Sequence, residues 1–107
     1  MAIALTDIAD IIRSKNSGPY ELTLDMLFGS RAWYEKVRDA GAINEALICR
    51  LYRIPPSKVL GIIHFEPANA IKVTIERPLC SGDPGETDVY GAQQHAPLLS
   101  VMLDLEP

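Results

Sequence analysis

The chain has 107 residues, a length that predicts one domain over residues 1–107 with a modest hydrophobic core. Hydrophobic residues make up 48% and charged residues 22%, as in ordinary soluble globular proteins. The formal net charge of −4 argues against non-specific nucleic-acid binding, which requires a basic surface. The sequence has no apolar run of membrane-spanning length and begins without the basic region of a signal peptide. We therefore expect a cytoplasmic protein that binds neither nucleic acid nor membrane.

The first third of the chain is predicted to contain a helix, a loop and a strand. Thr6 has the chemistry of an N-cap, and the apolar stripe after it predicts a short helix from Thr6 to about Arg13. The polar stretch 13–19 ends in Gly-Pro and predicts a loop. Residues 21–28 alternate between apolar and polar side chains, which predicts a half-buried strand.

Two further helices are predicted from their capping residues. Ser30 is suited to cap the first of them, and Gly41 is placed to end it. Asn44 is suited to cap the next helix, which Pro55 must stop because proline cannot continue a helix.

Three more strands complete the predicted fold. Residues 58–65 are apolar on both faces, which predicts a central strand that buries His64. Residues 70–77 alternate cleanly and are predicted to form a hairpin with that strand, and 98–105 are predicted to form the last strand. The resulting order predicts an α+β fold, a mostly antiparallel sheet of about four strands with the helices packed on one face.

The stretch 80–97 lies between the last two predicted strands and has neither helical nor strand periodicity. It contains three glycines, two prolines, three carboxylates, two glutamines, a tyrosine and a histidine. Long irregular segments of a compact domain are usually either functional or disordered, and this composition favours function.

Arg13, Lys15 and Asn16 are the first candidate substrate-binding residues. Arg presents a planar fork that suits a carboxylate or phosphate, and Lys adds a compact positive charge. The alternative is a solvated helix end, where cations are stabilised by the helix dipole in any case.

The long polar stretch supplies the other candidates. Tyr90 and His95 are plausible acid/base groups, and Gln93 and Gln94 are suited to orient a substrate. We add Asp88 to the candidate catalytic residues. A lone histidine such as His95 is also often an ordinary packing residue.

Two groups of carboxylates have competing interpretations. Asp83, Glu86 and Asp88 have the chemistry to surround a hard cation, but their spacing is not that of a calcium loop, so a turn is favoured and we assign no metal or cofactor. Asp25, on the polar side of the first predicted strand, is either a site carboxylate or an ordinary exposed residue.

Over essentially its whole length the chain resembles a small bacterial domain family of unknown function, and three segments carry the resemblance. They are Arg-Ser-Lys-Asn-Ser-Gly-Pro-Tyr and Leu-Thr-Leu-Asp within 13–25, Ile-Lys-Val-Thr at 71–74, and the string from Gly-Asp-Pro-Gly to Gln-Gln-His-Ala-Pro at 82–97. Members of that family occur alone or fused to acyclic-terpene-utilisation (AtuA-like) proteins. The resemblance implies partnership with a large AtuA-like chain in the catabolism of branched acids or their CoA esters, where hydration or elimination is plausible chemistry. It implies no catalytic residues.

Three functions are compatible with these observations. The first is an accessory subunit of an AtuA-like enzyme that contributes to a site for a small anionic substrate or CoA ester. The second is a self-sufficient hydro-lyase whose site is shared across a homo-oligomer. The third is a non-catalytic structural module that only mediates assembly, so either a homo- or a hetero-oligomer is expected.

Overall fold

The computed structural model describes residues 2–18, 21–76 and 96–105. In chain order the elements in these ranges are strand β1 (Ala2–Ala4), helix α1 (Leu5–Ile8), strands β2 (Ala9–Gly18) and β3 (Glu21–Phe28), helices α2 (Arg31–Ala40) and α3 (Glu45–Tyr52), and strands β4 (Val59–Phe65), β5 (Ala70–Glu76) and β6 (Met102–Asp104). Short 3-10 turns cover Pro56–Lys58, Glu66–Ala68 and Ala96–Ser100. Among the described helices, none combines the length and the apolar character that a membrane span requires.

The main sheet has four antiparallel strands in the order β2-β3-β5-β4. Strand β1 pairs with β6 in a separate two-stranded antiparallel sheet. The β4–β5 hairpin is present as predicted. This architecture confirms the α+β prediction.

The hydrophobic core lies on one face of the main sheet, between the sheet and the helices; we call this the inner face. Because side chains alternate along a strand, every second residue of β3 and β5 points into the core. The core residues include Leu22, Leu24 and Met26 from β3, Ile71, Val73 and Ile75 from β5, and Tyr34, Val37, Ile43 and Ile48 from the helical region.

Local capping chemistry determines where α2 and α3 begin and end. The side chains of Ser30 and Asn44 accept hydrogen bonds from the backbone N–H groups of Trp33 and Leu47, so both predicted N-caps are confirmed. Gly41 ends α2 with φ of 60°, a left-handed conformation that favours glycine.

The predicted helix from Thr6 to Arg13 is wrong beyond Ile8, and so is the predicted loop that followed it. Thr6 is not the N-cap either, because the helix begins at Leu5 after Ala4 and has no side-chain cap. Helix α1 stops at Ile8, and the chain continues as the ten-residue strand β2. Leu5 and Ile8 are both buried, as the helical spacing of apolar residues predicted, but the helix has only one turn. Pairing with β3 satisfies the backbone of the following residues, and this tertiary gain overrides a weak local helix preference.

Strand β4 is present but is not central. It lies at the edge of the sheet, bonded only to β5 among the described strands. His64 is exposed, which corrects the prediction that it is buried. An apolar run without alternation predicts burial on both faces, yet Leu60, Ile63 and Phe65 remain exposed.

The last predicted strand is shorter than expected. A 3-10 turn covers Ala96–Ser100, and only Met102–Asp104 form a strand, β6. This turn changes which side chains point into the core: Leu98 is fully buried, whereas its neighbour Leu99 is 48% exposed.

Candidate functional site

The second face of the main sheet, which we call the outer face, carries most of the charged side chains of its strands and the hydroxyl groups of Thr23 and Thr74. Ser14 is an exception, because it lies opposite the core residue Leu24 and is buried. The strand register places these residues in rows across the sheet. From β2 to β4 three neighbouring rows are Ile11, Leu27, Ala70 and Phe65; then Arg13, Asp25, Lys72 and Ile63; then Lys15, Thr23, Thr74 and Gly61. The next row along the sheet holds two carboxylates, Glu21 opposite Glu76, and Glu76 is paired with Lys58.

The charged row is organised around Asp25. Its Oδ2 accepts a hydrogen bond from Nε of Arg13 at 3.2 Å. Asp25 is only 4% exposed because it is a short side chain on a central strand, between the longer side chains of Arg13 and Lys72 on the neighbouring strands. Its second oxygen, Oδ1, is buried and has no hydrogen-bond partner among the described residues. Asp25 therefore acts as a buried anchor that positions Arg13.

The adjacent row adds a further cation and two hydroxyl groups. Lys15 lies opposite Thr23, and Thr23 lies opposite Thr74. Within the described part of the chain, no carboxylate oxygen lies within 4 Å of the ammonium group of Lys15 or Lys72. Together with Arg13 and Asp25, these lysines give the patch a net charge of about +2 in a protein whose net charge is −4.

We call this set the cation patch: Arg13, Lys15 and Lys72, with Thr23, Asp25 and Thr74. Arg and Lys together with hydroxyl donors are the groups that bind carboxylates and phosphates in proteins. The buried carboxylate of Asp25 offsets one of the three positive charges and restricts Arg13, so the cations that are most available to an anion are Lys15 and Lys72.

Apolar side chains border the cation patch along two sides. Ile11, Ile63 and Phe65 are 44%, 58% and 43% exposed. The ammonium of Lys72 lies 5.8 Å from the centre of the Phe65 ring, a cation–π distance. The outer face therefore combines a positively charged centre with exposed apolar edges.

The structure brings together some of the predicted binding residues and separates another. Arg13 and Lys15 share the outer face, as alternate residues of β2. Asn16 pairs with the core residue Leu22 and so points to the inner face, away from them. The prediction that these three residues form one cationic loop is wrong, because a strand sends successive side chains to opposite faces.

The remaining candidates lie outside the described residues. They are Asp88, Tyr90, Gln93, Gln94 and His95, together with Asp83 and Glu86, the other two carboxylates of the turn. Their roles stay predictions.

Sequence reasoning missed Lys72, Thr74 and Thr23 as neighbours of Arg13 and Lys15 on the outer face. The alternation of β5 had indicated that Lys72 and Thr74 point outward, away from the core. Alternation gives the face of a residue but not its neighbours, because the strand register depends on pairing between distant segments.

The helical side of the molecule has shallow grooves between α2, α3 and β6. One is lined by Glu35, Lys36, Asp39 and Asp104, a surface of mixed charge. In residues 2–18, 21–76 and 96–105, no three His, Cys, Asp or Glu side chains are grouped so that they could hold a metal ion. The outer face is thus the better candidate for a functional surface.

Comparison with known proteins gives a family but no function. No curated protein matches the chain, and no solved structure matches it. The family model of a domain of unknown function, DUF4387, matches residues 5–102, which include all of the main sheet, α1, α2 and α3. The chain therefore belongs to the family of the domain of unknown function DUF4387.

Proposed function

We propose that this domain is a small accessory subunit or domain of an AtuA-like catabolic enzyme, and that it contributes to a site for an anionic carboxylate or acyl-CoA substrate. The observation that carries the proposal is the cation patch, with Lys15 and Lys72 flanking two threonine hydroxyls on the exposed face of the sheet. A carboxylate has the charge to be attracted there and accepts hydrogen bonds from ammonium and hydroxyl groups.

The arrangement of polar and apolar groups supports an accessory role. The exposed side chains of Ile11, Ile63 and Phe65 border the patch, as expected of a surface that a partner covers. Burying these side chains would exclude water and strengthen the attraction between the lysines and a bound anion. In this proposal the partner chain closes the site.

The proposed chemistry is hydration or elimination. Such a reaction needs an acid/base group near the bound anion, and Tyr90, His95 and Asp88 are our candidates for that role. Gln93 and Gln94 are the proposed orienting groups. The AtuA-like chain supplies the remaining catalytic groups.

Co-purification tests the partnership. The tagged domain, expressed with an AtuA-like chain from the same genome, is expected to recover that chain, and the mixture is expected to show turnover on unsaturated branched acids or their CoA esters that neither chain shows alone. Recovery of no AtuA-like chain, with activity unchanged on mixing, would reject the proposal. Turnover by the isolated domain would instead favour a self-sufficient enzyme.

Charge reversal on the outer face tests the anion site. The double variant Lys15→Glu/Lys72→Glu is expected to weaken substrate binding by the complex at least tenfold, because it replaces two positive charges with two negative ones. Lys36→Glu is the control, since it makes the same kind of change on α2, on the helical side of the sheet. The substrate Kd or KM is measured; equal effects from both would place the site elsewhere.

A further inference from the structure

The two edges of the main sheet differ in how well they are protected against pairing with another strand. The β2 edge carries Asp10, Arg13 and Lys15 and has register irregularities near both of its ends. Charged residues and bulges are the devices that commonly protect an edge strand from further pairing. The β2 edge is therefore protected.

The β4 edge has little of this protection. Of the four described strands in the main sheet, β4 is the one without Asp, Glu, Lys or Arg; its sequence is Val-Leu-Gly-Ile-Ile-His-Phe. Its register shift lies at the start, around Leu60, and leaves Gly61–Phe65 regularly paired with β5. Leu60, Ile63 and Phe65 are exposed. An exposed, apolar edge strand is a template for the addition of another strand.

We propose that β4 pairs antiparallel with β4 of a second copy of this chain, which joins two four-stranded sheets into one sheet of eight strands. A pairing of two identical strands around a twofold axis is closed and self-complementary, so it ends at a dimer. The strand proposed to pair with the β4 edge is thus the β4 of a second copy of this chain.

The charges at the two ends of β4 favour this occupant and this orientation. Lys58 precedes the strand and Glu66 follows it. Antiparallel pairing centred on Ile62 places Lys58 opposite Glu66 of the second copy at both ends, whereas parallel pairing places like charges side by side. Intrachain ion pairs hold both side chains at these ends, Lys58 with Glu76 at 3.0 Å and Glu66 with Arg38 at 2.7 Å.

This dimer does not depend on the proposed function. Pairing at β4 would extend the outer face across both copies and place a cation patch on either side of the new junction. A domain that dimerises but recovers no AtuA-like chain would support this inference and reject the proposed function; a monomer that recovers the partner would do the reverse.

Sedimentation velocity between about 1 and 100 µM tests the proposal, with a matched pair of variants. Wild-type protein is expected to sediment as a dimer at the upper end of this range. Ile63→Lys, on β4, is expected to raise the dimer Kd at least tenfold, because a charge is placed in the paired edge. Ile11→Lys makes the same change on the same face at the β2 edge and is expected to change Kd less than threefold.

Charge reversal tests the orientation. Lys58→Glu and Glu66→Lys each place like charges opposite each other across the interface and are expected to raise Kd, whereas the double variant restores the attraction and is expected to recover most of the loss. The double variant still disturbs the ion pairs that Lys58 and Glu66 make within each chain. A recovery of the dimer Kd in the double variant would therefore come from restored attraction across the interface. Far-UV circular dichroism checks that each variant is folded.

Hydrogen exchange of the wild-type protein provides a measurement that needs no variant. Amides of residues 59–65 are expected to exchange more slowly as the protein concentration rises, while those of β2 are unchanged. Monomeric wild-type protein at 100 µM, or equal weakening by Ile11→Lys and Ile63→Lys, would overturn the proposal.

Discussion

At the scale of single residues, the partners of the Arg13–Asp25 ion pair differ strongly in burial. The side chain of Asp25 is 5% exposed, whereas that of Arg13 is 60% exposed. Water can therefore replace Asp25 as a partner of Arg13 far more easily than it can replace Arg13 as a partner of Asp25. Substituting Arg13 and substituting Asp25 should therefore change the free energy of unfolding by different amounts.

We expect Arg13→Gln to lower the free energy of unfolding by about 1–3 kcal/mol, because it leaves a buried carboxylate without its charged donor. Asp25→Asn should cost about 1 kcal/mol or less, since the freed guanidinium is hydrated at the surface. The double variant should be about as stable as Asp25→Asn alone. Urea denaturation of the three variants measures this, and equal costs for the two single changes would contradict it.

At the scale of elements, backbone conformation ends α2 and the partner strand determines the length of β2. Gly41 adopts φ of 60°, and no atom of the described part of the chain lies within 4 Å of the position that a Cβ would occupy. The requirement for glycine there is conformational and not steric. Such a requirement is local, which explains why the end of α2 was predictable from the sequence alone.

Gly41→Ala is expected to lower the free energy of unfolding by about 1–2 kcal/mol, the cost of a left-handed conformation for a residue with a Cβ. Gly41→Asn should cost less, because asparagine tolerates this conformation better. Thermal or urea unfolding compares the two variants with the wild type. If alanine and asparagine cost the same, backbone conformation is not what selects glycine at this position.

At the scale of the whole molecule, the last described residues pack into the same hydrophobic core as the main sheet and the helices. Strand β6 pairs with β1, and the backbone N–H of Leu5 donates to the carbonyl of Val101 at 3.0 Å. Leu98, Leu103 and Leu105 are buried in the same core as the sheet and helices. Residues 96–105 are therefore part of the domain.

Substitutions at two neighbouring leucines test how much the packing of residues 96–105 contributes to stability. Leu98→Ala is expected to destabilise the protein by about 2–5 kcal/mol, since it removes a fully buried side chain. Leu99→Ala, at the 48% exposed neighbour, should change stability by no more than about 0.5 kcal/mol. Denaturant unfolding gives both values. A large loss from Leu99→Ala as well would mean that another surface covers this residue.

The candidate site was predictable only in part. Arg13 and Lys15 stood out by charge, and they do share a surface. Lys72 and Asp25 became their neighbours through pairing between segments far apart in the chain. A pattern of period two predicts which face a side chain takes, but register and strand order arise only when whole strands pair.

The amino-acid sequence by itself determined the α+β class, the caps of α2 and α3, the inward residues of β3 and β5, and the hairpin between β4 and β5. These features follow from contacts between near neighbours or from strict alternation. Only the tertiary structure decided that residues 9–18 form a strand, that β4 lies at the edge and that Asp25 is buried beside Arg13. Each of those depends on which distant segment is bonded alongside, and the free energy of that pairing exceeds the local preferences of the residues involved.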